Sequence, residues 1–272
     1  MHVAPTNPHV SANQSATHRV QLQPAYVLHH RPYRDTSRIL ELFTRDHGRL
    51  TVFARGARGG KKLAGSLASV LQPFHRVLVS YGGRGEAGQL TGAEFDGALC
   101  ELPSARMLSG FYLNELLMRL FERHDTHADV FDLYDATLMQ LMSNECDESR
   151  VLRVFEKRLL DMIGYGLLLD REAHSGAAVE GDSLYRYIPE RGVTRIDGVA
   201  EGPMIFSGAS LLALSCENLA NHAARTDARR LLRAALDQYL SGRELRSREV
   251  LGALRRMQGA RPATRSTGQE GV

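Results

Sequence analysis

Between Arg31 and Lys62 the chain carries nine basic residues, Arg31, Arg34, Arg38, Arg45, Arg49, Arg55, Arg58, Lys61 and Lys62, against only Asp35, Glu41 and Asp46. Cations at that density do one kind of chemistry without a catalyst: they neutralise phosphates and displace condensed counterions. Tyr26, Tyr33, Phe53 and Tyr81 occur in and around the same stretch and offer flat rings on which unpaired bases stack. Tyr33 stands between Pro32 and Arg34 and is expected to be exposed, whereas Phe53 lies in an apolar run and is expected in the core. Arg49 and Arg55 are six residues apart, so they point the same way on a regular strand. The run GARGGKK from Gly56 to Lys62 reads either as a flexible loop or as backbone that can approach phosphates closely. It is not a nucleotide-binding P-loop, because Gly60-Lys61 is followed by Lys62 rather than by Ser or Thr.

Other candidate chemistry is thinner. His29-His30 and the set Asp125, His127 and Asp129 lack the spacing of a metal motif. Cys100, Cys146 and Cys216 are too far apart for a zinc knuckle and odd in number, which fits reduced thiols in a cytosolic protein. No paired carboxylates or Ser/His/Asp set suggests catalysis, so neither an enzyme nor a cofactor is expected. A second basic block holds Arg229, Arg230, Arg233, Arg243, Arg246, Arg248, Arg255 and Arg256, and it reads as a DNA track, a seat for an acidic protein tail, or solvated helix faces. Between the two blocks, residues 94–148 carry twelve acids against Arg106, Arg119 and Arg123. The net charge of +3 therefore hides two cationic regions around an acidic one, and such segregation points to an anionic partner. No apolar run approaches the ~20 residues that span a bilayer, and the start of the chain lacks the features of a signal peptide, so a cytoplasmic, nucleoid-associated protein is expected.

The elements that must position these residues follow from periodicity. Residues 20–28, 37–44 and 49–55 read as strands, the last two joined at Asp46-His47-Gly48. A short helix at 63–71 and strands at 74–80 and 89–95 follow. Five strands with a helix between the third and fourth match an OB-fold, a barrel whose face and loops bind oligonucleotides. After Pro103 the period becomes helical, with helices at about 108–121, 127–142 and 148–163, the last ended by Gly164 and Gly166. A small β-ribbon turning at Glu190-Arg191-Gly192 lies within the irregular segment 167–206. Helices are expected at 208–221, capped by Ser207, at 226–240, and at 243–257. The fold class is thus α+β: disordered tails at 1–19 and 258–272, an OB-fold domain at 20–100 and a mainly helical domain at 103–257.

At this point a resemblance enters. AYVLHHRPYRDTSRILELFTRDHGRLTVFARGARGGK resembles the N-terminal signature of the recombination mediator family RecO. LQPFHRVLVSYGGRGE, LTGAEF, the helical stretch from Met107 to Leu138, FEKRLLDMIGYGLLLD and the weaker SGRELRSREVL also resemble that family. The resemblance implies a cytoplasmic DNA-repair protein that binds single- and double-stranded DNA and anneals complementary strands. It further implies action with RecR and with the acidic C-terminal tail of single-strand binding protein to load RecA. On that reading the DNA contacts are Arg31, Tyr33, Arg34, Arg38, Arg49, Arg55, Arg58, Lys61 and Lys62. Partner or DNA contacts are Arg229, Arg230, Arg233, Arg243, Arg246 and Arg248. Some family members carry a four-cysteine zinc motif after the Gly-Tyr-Gly turn; here that region, REAHSGAAVEGDSLYRY, has only His174, so no zinc is expected. The alternative is a generic RNA-binding OB-fold protein.

Overall fold

The computed structural model describes residues 18–57, 66–83, 87–97, 101–198, 200–240 and 244–259, the last six by their backbone only. Two compact units emerge: one comprises residues up to Thr44 together with Leu50–Gly97, the other Arg45–Arg49 together with the chain from Ala98 onward.

The first unit is a closed five-stranded barrel of β1 (His18–Tyr33), β2 (Ser37–Thr44), β3 (Gly48–Ala54), β4 (Arg76–Gly83) and β5 (Ala87–Phe95), with α1 (Leu67–Val70) between β3 and β4. The strand order is 1-2-3-5-4, closing on β1, with β3 and β5 parallel, β1 antiparallel to β2 and to β4, and β4 antiparallel to β5. This is the OB-like arrangement that the spacing of strands predicts. Closure needs one strand long enough to pair on both sides, and β1 does this: His18–Tyr26 run against β4 while Ala25–Tyr33 run against β2. Irregularities between Val20 and Gln23 and between Val27 and His29 let it bend. At the first, Leu22 takes φ 49 and is 56% exposed. The expected strand at 20–28 is therefore too short, because HHRPY shows no alternation that would signal pairing. The core is the alternate inward set Ala25, Val27, Leu40, Leu42, Val52 and Val77, closed by Val70 and Leu71 of α1.

The second unit is mainly helical. It holds α2 (Met107–Leu120), α3 (Ala128–Met142), α4 (Glu148–Met162), α5 (Gly208–Ser215), α6 (His222–Tyr239) and α7 (Arg246–Gly259). Side-chain caps fix three starts: Asp147 accepts from the Arg150 amide, Ser207 from Ser210 and Asn221 from Ala224. Asn221 starts α6 four residues before the expected 226, and α5 stops at Ser215 instead of 221, with Glu217 at φ 58 in the connection. Gly164, at φ 84, follows the end of α4, where the Tyr165 amide donates to the Leu160 carbonyl at 2.8 Å. The ribbon forms as β6 (Leu184–Ile188) and β7 (Gly192–Ile196), with Ile188 opposite Gly192. A third strand, β8 (Ile205–Ser207), pairs with β6; three residues carry too little pattern to be read in advance. In the stretch after the Gly-Tyr-Gly turn, backbone bonds shape the chain: Glu172 to Ala177, Ala173 to Val193, both 2.8 Å, and Val179 to Asp170, 2.9 Å.

Candidate nucleic-acid interface

The site is built from the free end of the β1–β2 hairpin and the adjoining part of β3. In antiparallel register Arg31 lies opposite Ile39, Tyr33 opposite Ser37 and His29 opposite Glu41, so these side chains share one face. Thr51 of β3 belongs to the same face, since its hydroxyl donates to Glu41 Oε1 at 2.9 Å. Phe53, two residues on, brings its ring to 5.2 Å from that of Tyr33, tilted by 51°. The face continues to β5, where Gln89 pairs with Phe53 and donates its amide to the Phe53 carbonyl at 2.8 Å. Arg34 holds its guanidinium 5.3 Å from the Tyr33 ring centre; Arg31, on the same face of β1, is exposed, and Arg55 is exposed one residue after β3 ends. Arg34 sits at φ 52 in the tight connection 34–36, which turns the chain while keeping Arg34 beside Tyr33.

The other predicted contacts fall elsewhere. Arg38 lies opposite Pro32, on the inward side of the hairpin with Leu40. It is half-buried, and its Nη1 is buried without a hydrogen-bond partner. His30 shares that side, and burial first, then Arg38 and His29, holds its imidazole below the ordinary histidine value. Arg49 does not share Arg55's setting: it falls in the helical unit and donates Nη1 to the Met118 carbonyl at 2.8 Å. Tyr26 is only 3% exposed and belongs to the core. Tyr81 is half-buried, with its phenol pushed up to about 12 by desolvation. Phe53, expected in the core, instead lies half-buried on the outer face; its parity with Thr51 was the available signal. Arg58, Lys61 and Lys62 lie outside the described residues.

In the helical unit, Arg229 and Arg233 are exposed on α6, and Arg246 is exposed at the start of α7. Arg230 is structural: it donates to the Ile205 carbonyl at 2.7 Å and to Asp227 at 2.9 Å, and lies 4.5 Å from the Phe206 ring centre. Arg248 binds Asp237 and rests 5.7 Å from the Tyr112 ring centre. A cavity of about 600 Å³ opens among α2, α4, α6 and α7, with Leu108, Leu152 and Leu245 in its lining and both signs of charge on its walls: Arg229, Arg233 and Arg248 stand there with Glu148, Asp237, Glu244 and Glu249. Glu156, 1% exposed and also in the lining, accepts from the Tyr112 hydroxyl and from Arg153. Burial, then the Glu156 carboxylate, pushes the Tyr112 phenol far above its usual range. Arg243, and the side chains of Arg255 and Arg256, lie outside the described residues.

Asp125 and His127 are hydrogen-bonded to each other at 2.9 Å, and Asp129 accepts from the Val130 amide at the start of α3. Among the described residues no three His, Cys, Asp or Glu side chains gather where a metal ion would sit, and no helix is long and apolar enough to cross a membrane.

An OB-like barrel with a cationic, aromatic outer face, followed in the chain by a helical unit, defines the class of a nucleic-acid-associated α+β protein. Residues 20–97 match the family model Recombination protein O N terminal, and residues 104–249 match Recombination protein O C terminal. The DNA repair protein RecO of Alkalilimnicola ehrlichii is 45% identical over 240 residues, covering 88% of this chain and 93% of that protein. Its counterpart in Methylococcus capsulatus is 44% identical over 232 residues, covering 85% and 93%. That of Coxiella burnetii is 39% identical over 235 residues, covering 86% and 99%. The chain belongs to the RecO family of DNA repair proteins.

Proposed function

We propose that this chain is a non-enzymatic, cytoplasmic recombination mediator. It holds single-stranded DNA on the outer face of its barrel, binds duplex through the phosphates, and anneals complementary strands. With RecR it helps load RecA onto DNA coated by single-strand binding protein. The observation that carries this reading is the Tyr33–Phe53 ring pair with the Arg34 guanidinium 5.3 Å from the Tyr33 centroid, on a face whose strands also carry the exposed Arg31 and lead to the exposed Arg55. A positive track beside stacking rings is the general means of holding single strands, and the face spanning strands two and three is where OB-folds bind oligonucleotides. Annealing then needs only two neutralised strands held close together; it uses no nucleophile and no metal.

In this reading the acidic tail of single-strand binding protein docks on the helical unit, where Arg229 and Arg233, exposed on α6, meet its carboxylates and the leucines of the adjoining cavity accept its apolar end.

The test is annealing of two complementary oligonucleotides, bare and coated with single-strand binding protein. The triple variant Arg31→Ala/Arg34→Ala/Arg55→Ala should lose annealing of both. Unchanged annealing would move the DNA off the barrel face; no annealing by the wild type, with preferred capture of RNA, would favour an RNA-binding role.

A further inference from the structure

We propose that the Tyr33–Phe53 pair is a nucleobase-stacking step that makes this face choose unpaired strands over duplex. The inference rests on the DNA-binding reading and adds to it the residues that discriminate. A duplex keeps its bases stacked on each other and offers an incoming protein its phosphates, so arginines alone bind both forms. Discrimination needs a surface that only an unstacked base can use.

The outer face provides one. Tyr33 is 36% exposed at the very end of β1, while Phe53, half-buried in β3, backs it at 5.2 Å. Ile39, opposite Arg31 in register and 8% exposed, adds an apolar side chain to the same face on β2. The platform therefore spans three strands and cannot swing away as a loop aromatic would. Its ring already holds a cation: the Arg34 guanidinium lies 5.3 Å from the Tyr33 centroid. A base is a planar group of the kind that takes the same ring face, and the cation beside it then meets the adjoining phosphate. Arg31 and Arg55, both exposed, bind the backbone in either form of DNA.

The chain has no tryptophan, so Tyr33→Trp places a single reporter at the step. Titrating this variant with oligo-dT should quench its emission by stacking, whereas a duplex of equal charge should bind without quenching. In parallel, Tyr33→Leu and Phe53→Leu should each weaken oligo-dT binding by about tenfold, the scale of one lost base stack, and leave duplex affinity within about twofold. Circular dichroism confirms that the leucine variants are folded. Equal losses on both DNA forms, or an unquenched tryptophan on a bound single strand, would overturn the stacking step while leaving DNA binding intact. A wild type that binds neither form would take both readings down together.

Discussion

Arg31 and Arg55 are set apart from Arg38 and Arg49 by what surrounds them. Both are exposed, whereas Arg38 turns inward beside His30 and Arg49 is bonded to a helix carbonyl. Losing one phosphate-contacting cation should lower the slope of log affinity against log salt by about one. Arg31→Ala and Arg55→Ala should each show that change in titrations at several salt concentrations, and Arg49→Ala should keep the wild-type slope while losing stability. Gly48 illustrates a constraint of a different kind. It holds φ +64, and a β-carbon there would stand 2.0 Å from the Asp125 carbonyl oxygen. Gly48→Ala should cost about 3 kcal/mol in urea unfolding, combining strain with overpacking. Gly56→Ala, at φ +71 with nothing within 4 Å, should cost only about 1 kcal/mol. Asp46-His47-Gly48 signalled a turn from sequence, but the partner that makes the glycine obligatory is seventy-odd residues away and invisible there.

At the level of elements, the least self-sufficient is α7, whose start is held by a carboxylate from α2. Glu115 accepts from the Arg246 and Ser247 amides, both at 2.9 Å, and from the Ser247 hydroxyl at 2.7 Å. It thereby caps the orphan amides of a helix 131 residues further along the chain, with its charge at the positive end of the dipole. Glu115→Ala should destabilise the helical unit by about 2 kcal/mol and raise amide exchange over residues 246–249. The junction of α4 with the end of α5 carries a pH dependence. Arg158 hydrogen-bonds Glu217 at 2.6–3.1 Å and, with Lys157 assisting, holds that carboxyl below its ordinary range. A carboxyl depressed in the folded state binds its proton more readily when unfolded. Its stabilisation is therefore full above the ordinary carboxylate value and is lost as pH falls through the depressed one. Urea midpoints of the wild type should drop across that acidic window, and Glu217→Gln should show a shallower drop. Helix periods were readable because α2, α3 and α4 bury one stripe each; β8 and the early start of α6 were not, since the first is too short and the second depends on one asparagine cap.

For the molecule as a whole, the two cationic regions have different work in the proposed mediator. Arg229→Ala/Arg233→Ala should weaken binding of an acidic peptide with an apolar terminus, measured by fluorescence anisotropy. The same variant should leave oligonucleotide binding by the barrel within about twofold, since Arg229 and Arg233 belong to the helical unit and the proposed DNA face to the barrel unit. Equal loss of both would mean that one continuous anionic track serves DNA and protein alike. Sequence alone determined the class of this protein: the succession of strands, helix and strands, the switch to a helical period after Pro103, and the separation of basic from acidic stretches are all local patterns. Tertiary structure alone decided which cations are available. Arg38, Arg49 and Arg230 look like Arg31 and Arg55 in a string of letters. Their fates diverge because strand register sends one inward, a distant carbonyl captures another, and an aromatic ring with an aspartate holds the third. A charge is a property of a residue, whereas its exposure depends on neighbours that only folding brings together.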